Sequence, residues 1–329
     1  MDFLLLAASL ALLLIAAHYF VEGISAIAAD LGVSPLVIGM TVVAFGTSTP
    51  ELVVNVLSAQ QRSTALAFGN IIGSSIINLG LVLGITALVR PMKVEPSVIT
   101  REIPMMLVAV AAAFVMANDE WLDQAAANTW SRTDGFVLLL FFSIFLYYTT
   151  RAAMSARRGD TFLHVAAERG KRFVAAKMGR QLLMTIGGLA GVSLGADWTV
   201  ERAVSLARQW GVSETVIGLT IISVGTTLPE MATSIVSARR GHAEIALGNV
   251  VGSNLFNLLC VAGLVAVVHP VAIPKAGIYD LCFLAYMAVI SLPIAISSGR
   301  TITRQEGGVL VSSLVAYLLW RFVSGLSAA

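Results

Sequence analysis

Charge is scarce in this sequence: Asp, Glu, Lys and Arg make up 12% of 329 residues, about half the share of a soluble domain. With 57% hydrophobic residues and a mean hydropathy of +0.86, a soluble globule is excluded and the chain reads as an integral membrane protein. A net charge of only +2 leaves nucleic acid binding without electrostatic support. Cysteine is almost missing as well. Cys260 and Cys282 fall in apolar runs, where a thiol acts as a small packing residue, so neither a disulfide nor a cysteine metal site is expected. The four histidines, His18, His164, His242 and His269, show no ligand spacing, which argues against a transition-metal centre. No basic segment precedes the apolar run at 3–20, where Asp2 stands instead. That run is therefore read as a retained first helix, not a signal peptide.

What the sequence has is an internal duplication. Gly46-Thr47-Ser48-Thr49-Pro50-Glu51 and Gly69-Asn70-Ile71-Ile72-Gly73-Ser74 through Asn78 recur, at a constant offset of 179 residues, as Gly225-Thr226-Thr227-Leu228-Pro229-Glu230 and Gly248-Asn249-Val250-Val251-Gly252-Ser253 through Asn257. The matched positions are Gly, Pro, Thr, Ser, Asn and Glu, not the Leu and Val around them. Such a repeat preserves a site as well as a fold.

Apolar runs long enough for a bilayer of roughly 30 Å lie near 3–20, 36–59, 66–89, 103–117, 134–150, 180–197, 215–238, 244–268, 278–297 and 307–324. The expected fold is an all-α membrane protein of ten transmembrane helices, in two five-helix repeats over 1–150 and 180–329. An odd number of spans per repeat makes the halves inverted. A basic linker at 151–179 joins them, and its face with Phe162, Leu163, Val165 and Phe173 is read either as a solvated connector or as a surface lying on the anionic leaflet. Placing the N-terminus outside puts 15 of the 21 Lys and Arg residues in inner loops, so the expected orientation is N-out and C-out.

Pro50 lacks an N–H and disfavours helical geometry at Thr49, so the helix must stop and restart there. The break frees carbonyls near residues 44–47, and irregular backbone survives inside a membrane only where it faces protein or water. Carbonyl oxygens, the Thr47 and Ser48 hydroxyls and the Glu51 carboxylate are hard donors suited to Ca²⁺ and Na⁺. Ser223, Thr226, Thr227 and Glu230 offer the same set in the second copy. Each glutamate costs roughly 2.5–3.5 kcal/mol at mid-membrane on insertion scales, a penalty that a bound cation relieves. Gly69, Gly73, Gly248 and Gly252 form small-xxx-small faces. Ser74 with Asn78, and Ser253 with Asn257, share one helical face and turn polar groups inward. Asn70 and Asn249 are read first as amides bonded to the broken helix and secondarily as ligands. Glu22 and Glu201 lie near span ends, where solvated or lining roles are expected.

These paired motifs in inverted five-helix halves resemble the α-repeats of the cation/Ca²⁺ exchanger superfamily, specifically its sodium/calcium exchanger branch, over about 32–88 and 211–267. The resemblance implies a secondary active antiporter exchanging Na⁺ for Ca²⁺, not an enzyme, with no cofactor beyond the transported ions and the lipid bilayer as its surroundings. A prokaryotic inner membrane is the expected location. It implies a central Ca²⁺ site from Glu51, Glu230 and the carbonyls of Thr47 and Thr226. It also implies Na⁺ or lining positions at Ala44, Ser48, Ser74, Asn78, Ser223, Thr227, Ser253 and Asn257. Two positions depart from the usual pattern: Asn257 stands where several Na⁺/Ca²⁺ exchangers have Asp, and Thr227 where Ser is common. The alternative is a Ca²⁺/H⁺ exchanger in which protons on the same glutamates replace Na⁺. A channel and an intramembrane hydrolase are weaker rivals, since the matched sites form no ring and no nucleophile accompanies the carboxylates.

Overall fold

The computed structural model describes residues 2–122, 124–158, 171–210 and 223–324. The order is α1 Asp2–Leu31, α2 Pro35–Thr47, α3 Thr49–Gln60, α4 Thr64–Val89, β1 Met92–Lys93, α5 Val98–Met116, α6 Asp119–Leu122, β2 Thr129–Trp130 and α7 Arg132–Arg158. There follow α8 Lys171–Gln209, α9 Ser223–Gly225, α10 Leu228–Arg239, α11 Ala243–Val268, β3 Val271–Ala272, α12 Gly277–Arg300, β4 Thr301–Ile302 and α13 Arg304–Val323. The protein is an all-helical membrane protein. Among the described residues eight helices are long and apolar enough to cross a bilayer, and the bent pair of α2 and α3 brings the number to nine. Of the expected run at 215–238, the first part lies outside the described residues and α10 covers the rest. Phe162, Leu163, Val165 and the second-copy residues 211–222 also lie outside them.

Two helices exceed their apolar runs. α1 has 30 residues and α8 has 39, against expected spans of 3–20 and 180–197. The extension is polar: Lys177 Nζ lies 2.7 Å from Asp30 Oδ1, and Gln181 Nε2 donates to Asp30 Oδ2 at 2.7 Å. Charges paired between two helices let both continue past the hydrophobic stretch. Along the seam glycines bring the backbones together. A Cβ on Gly188 would lie 2.6 Å from the Phe20 nitrogen, and one on Gly195 2.8 Å from Leu13 Cα.

α4 and α11 are the most enclosed spans, with 78% and 89% of their central windows buried. α11 packs on α2, α7 and α10, and α4 on α3, α10 and α13, so each buried helix touches elements of both halves. Both carry a π-helical stretch, Asn78–Val82 and Phe256–Val261, a distortion concentrated at functional sites. The short strands also pair across the halves. β1 runs antiparallel to β4 with Met92 opposite Ile302, and β2 to β3 with Trp130 opposite Val271. These two stitches mark opposite ends of the helical bundle, since β1 follows the C-terminal end of α4, while Thr64 at its start accepts from the Ala272 N–H at 3.3 Å.

Candidate ion site

The helix break falls where Pro50 demanded it. α2 and α3 meet at 47°, and Ser48 between them has φ −90° and ψ 6°. Its counterpart Thr227 has φ −96° and ψ 6°, so the two copies turn the same corner. The carbonyls near the break are only partly free. Ala44 O accepts the Ser48 N–H at 3.0 Å, and Thr47 Oγ1 donates to Val43 O at 3.0 Å with Ala44 O at 3.3 Å. In the second copy Thr227 Oγ1 donates to Val224 O at 2.9 Å.

From this corner the halves are joined. Ser48 Oγ donates to Glu230 Oε1 at 2.8 Å and lies 3.1 Å from Ser253 Oγ. Thr47 Oγ1 lies 3.4 Å from Asn249 Oδ1. These contacts depend on close backbones between α2 and α11: a Cβ on Gly248 would lie 2.6 Å from Leu36 O, and one on Gly252 2.6 Å from Met40 Cα and O. The small-residue face expected at 248–252 therefore has a partner. At Gly69 and Gly73 no described atom comes within 4 Å of an added Cβ.

Glu51 is 3% exposed and Glu230 1%, and Oε2 of each has no hydrogen-bond partner in the protein. Asn78 Nδ2 and Oδ1 and Asn257 Oδ1 are likewise buried without partners. Thr47, Ser48, Ser74, Thr227 and Ser253 are all buried, Thr226 is half-buried, and Ala44 is fully enclosed. Ser223 begins α9, and its side chain lies outside the described residues. Buried polar atoms without partners carry a large desolvation penalty, and the π-helical stretches that begin at Asn78 and Phe256 pack on α10 and α3, the helices that carry the two carboxylates. Among the described residues no three His, Cys, Asp or Glu side chains gather as a metal-binding group. Glu51 and Glu230 together carry about −2 when both are ionised.

Asn249 bonds to the broken helix, as read from the sequence: its Nδ2 reaches Ser234 Oγ at 2.9 Å, Thr233 Oγ1 at 3.2 Å and the Glu230 carbonyl at 3.2 Å. Asn70 instead accepts from Ser74 Oγ within its own helix at 3.2 Å. Glu22 pairs with Arg240 at 2.8 Å, with His18 also against that guanidinium, and Glu201 pairs with the adjacent Arg202 at 3.0 Å. Sequence reasoning missed Asn55, Thr233 and Ser234. Asn55 and Ser234 stand one helical turn after Glu51 and Glu230, so an i, i+4 reading outward from each glutamate finds both.

The chain matches the family described as sodium/calcium exchanger protein over residues 1–151 and 180–323. It is 32% identical over 344 residues to the sodium/calcium exchanger MaX1 of Methanosarcina acetivorans, covering 98% of each chain. It is 34% identical over 323 residues to the inner membrane protein YrbG of Escherichia coli, covering 96% of this chain and 94% of that protein. Its fold superposes on a crystal structure of the sodium-calcium exchanger NCX_Mj soaked with 2.5 mM Na⁺ and 1 mM Sr²⁺, with a TM-score of 0.81, 29% identity and 97% of each chain covered.

Proposed function

The chain belongs to the sodium/calcium exchanger family, and we propose that it is a secondary active antiporter that exchanges Na⁺ for Ca²⁺ across a membrane by alternating access. The observation that carries this reading is the hydrogen bond from Ser48 Oγ to Glu230 Oε1 beside two buried carboxylates whose outer oxygens lack protein partners. By donating its proton to Glu230, Ser48 keeps its oxygen lone pairs for a cation. Glu51 and Glu230, with the Thr47 and Thr226 carbonyls, hold Ca²⁺. Ala44, Ser48, Ser74, Asn78, Ser223, Thr227, Ser253 and Asn257 hold Na⁺ or line its sites. Two carboxylates are neutralised by one Ca²⁺ or by two or more Na⁺. Emptied and shut off from water, they repel each other in a low dielectric. Only a loaded carrier then crosses between its two open states, which makes the exchange obligatory.

The architecture behind this reading is ten spans in two inverted five-helix repeats with the broken helices at the midplane. The 47° break and the strand pairs that link the halves at both ends support it. The protein is placed in the cytoplasmic membrane of a prokaryotic cell with both termini outside, on the asymmetry of its basic loops. A second reading, Ca²⁺/H⁺ exchange, is favoured by one observation: positions 78 and 257 are both Asn, so neither adds a carboxylate to the two glutamates. Proteoliposomes loaded with Na⁺ and diluted into Na⁺-free medium should accumulate ⁴⁵Ca²⁺, and an imposed pH gradient without Na⁺ should not drive uptake. Uptake driven by pH alone would replace the sodium reading with the proton one.

A further inference from the structure

We propose that Asn55 is a further cation-coordinating residue, supplying a neutral amide oxygen to an ion that passes between Glu51 and the β2–β3 end of the bundle. The inference rests on the antiporter reading above and adds a residue to its path.

Asn55 lies on α3 one turn beyond Glu51, so both side chains share a face. That face is buried, at 3% exposure for Glu51, 1% for Asn55 and 8% for Ser58, whereas Val53, Val54 and Leu57 on the other side are about half exposed. Neither Nδ2 nor Oδ1 of Asn55 has a hydrogen-bond partner in the protein. An amide enclosed in this way pays its full desolvation penalty. Glu51, Glu230, Asn78 and Asn257, positions assigned to the ion site, also hold buried polar atoms without partners, as do Ser25, Gln181, Ser237 and Asn254; of all these Asn55 alone stands one turn from Glu51 on the same helix face. α3 packs against the π-helical stretch Phe256–Val261 and the turns after it, the stretch that includes Asn257. Glu51, Asn55 and Ser58 thus form a buried polar stripe along a helix that ends beside the start of α4, where Thr64 meets β3.

The second copy argues that this is not a packing accident. The residue matching Asn55 is Ser234, and its hydroxyl is held by Asn249 at 2.9 Å. The polar group one turn after Glu230 is therefore engaged, and the one after Glu51 is left open. An amide oxygen is a hard neutral donor of the kind Ca²⁺ and Na⁺ accept. It adds no charge to the site, so Asn55 tunes affinity and leaves the charge balance to the glutamates.

The test uses the full-length protein, in detergent for Ca²⁺-dependent thermal stabilisation and in proteoliposomes for exchange. In Asn55→Ala the Ca²⁺ concentration giving half-maximal stabilisation should rise about five- to tenfold, the value of one coordinating contact. Asn55→Ser should fall between Ala and the wild type, and without ions neither variant should melt below the wild type. Half-saturating Ca²⁺ within twofold of the wild type in both variants overturns the proposal. So does a lower melting temperature without ions combined with unchanged Ca²⁺ dependence, since a structural amide behaves that way. If Asn55→Ala does not fold, Asn55→Ser alone decides by the same criterion. A wild type that is stabilised by Ca²⁺ but exchanges nothing refutes the antiporter reading, and the stabilisation curves still judge Asn55.

Discussion

The two copies of the motif share residues but not surroundings. Around Glu230 the broken helix is braced: Asn249 holds α10 through Ser234, Thr233 and the Glu230 carbonyl, and Ser48 donates to the carboxylate, while Glu230 Oε2 and Asn257 Oδ1 keep no partner. Around Glu51 the polar groups are open. Asn70 is occupied only within its own helix, and Asn55 and Asn78 have no partners. In the packing, Gly252 lies against Met40; the residue matching Met40 in the second copy, Leu219, lies outside the described residues. The matched asparagines of the duplicated motif are therefore hydrogen-bonded differently in its two copies.

The comparison breaks at its centre if the two glutamates are not equally needed. Glu51→Gln and Glu230→Gln should each reduce Na⁺-driven ⁴⁵Ca²⁺ uptake at least about a hundredfold, because one lost charge leaves Ca²⁺ under-compensated in a buried site. Both proteins should still reach the membrane, since the substitution lowers the insertion penalty. Uptake near the wild-type rate in either variant would remove that residue from the site.

Packing offers the next largest effect. Gly252→Ala forces a methyl to within 2.6 Å of Met40 backbone and should destabilise the protein by about 3 kcal/mol, at the upper end of overpacking costs. A Gly252→Ala variant that melts with the wild type in detergent would contradict this close approach. Among the amides, Asn249→Ala leaves Ser234, Thr233 and the Glu230 carbonyl without their donor, a loss of about 2 kcal/mol. Asn70→Ala removes one hydrogen bond and should cost under about 1 kcal/mol, and a reversed order would contradict the division described above.

How much of this was legible in the chain can be judged residue by residue. Pro50 announced the break because a missing N–H acts within one turn, and Gly248 and Gly252 announced a close approach because small residues four apart leave a flat helix face. Asn55 escaped notice. Its counterpart is a serine, so a search for matched residues passes over it, and only burial reveals an amide without a partner. The lengths of α1 and α8 were hidden for a related reason. Apolar runs report where lipid is, whereas Asp30, Lys177 and Gln181 extend both helices through contacts between residues about 150 positions apart, which no local pattern records. The π-helical stretches at Asn78 and Phe256 left no mark in composition either.

The smallest expected effect sharpens the comparison at the corners. Ser48 donates across the halves to Glu230 at 2.8 Å, whereas Thr227 donates to its own backbone. Ser48→Ala should raise the Na⁺ concentration for half-maximal exchange about fivefold, and Thr227→Ala about twofold, in line with one charge-assisted contact against one neutral one. Larger sensitivity at Thr227 would place the main Na⁺ contacts in the second half.

The paired strands bear on how the protein is made. Met92 meets Ile302, and Thr129 meets Ala272, so the edges of β1 and β2 wait unpaired while the ribosome adds more than a hundred further residues. Ser48 likewise waits for Ser253. The first half emerges into the bilayer with Glu51 Oε2 and the Asn55 and Asn78 amides without partners. Because sequence-distant contacts form late and slowly, the binding centre should appear as one of the last events of biogenesis. A nascent chain that stalls before residue 243 would leave Thr47 and Ser48 without their α11 partners Asn249 and Ser253, the kind of defect that membrane quality control removes.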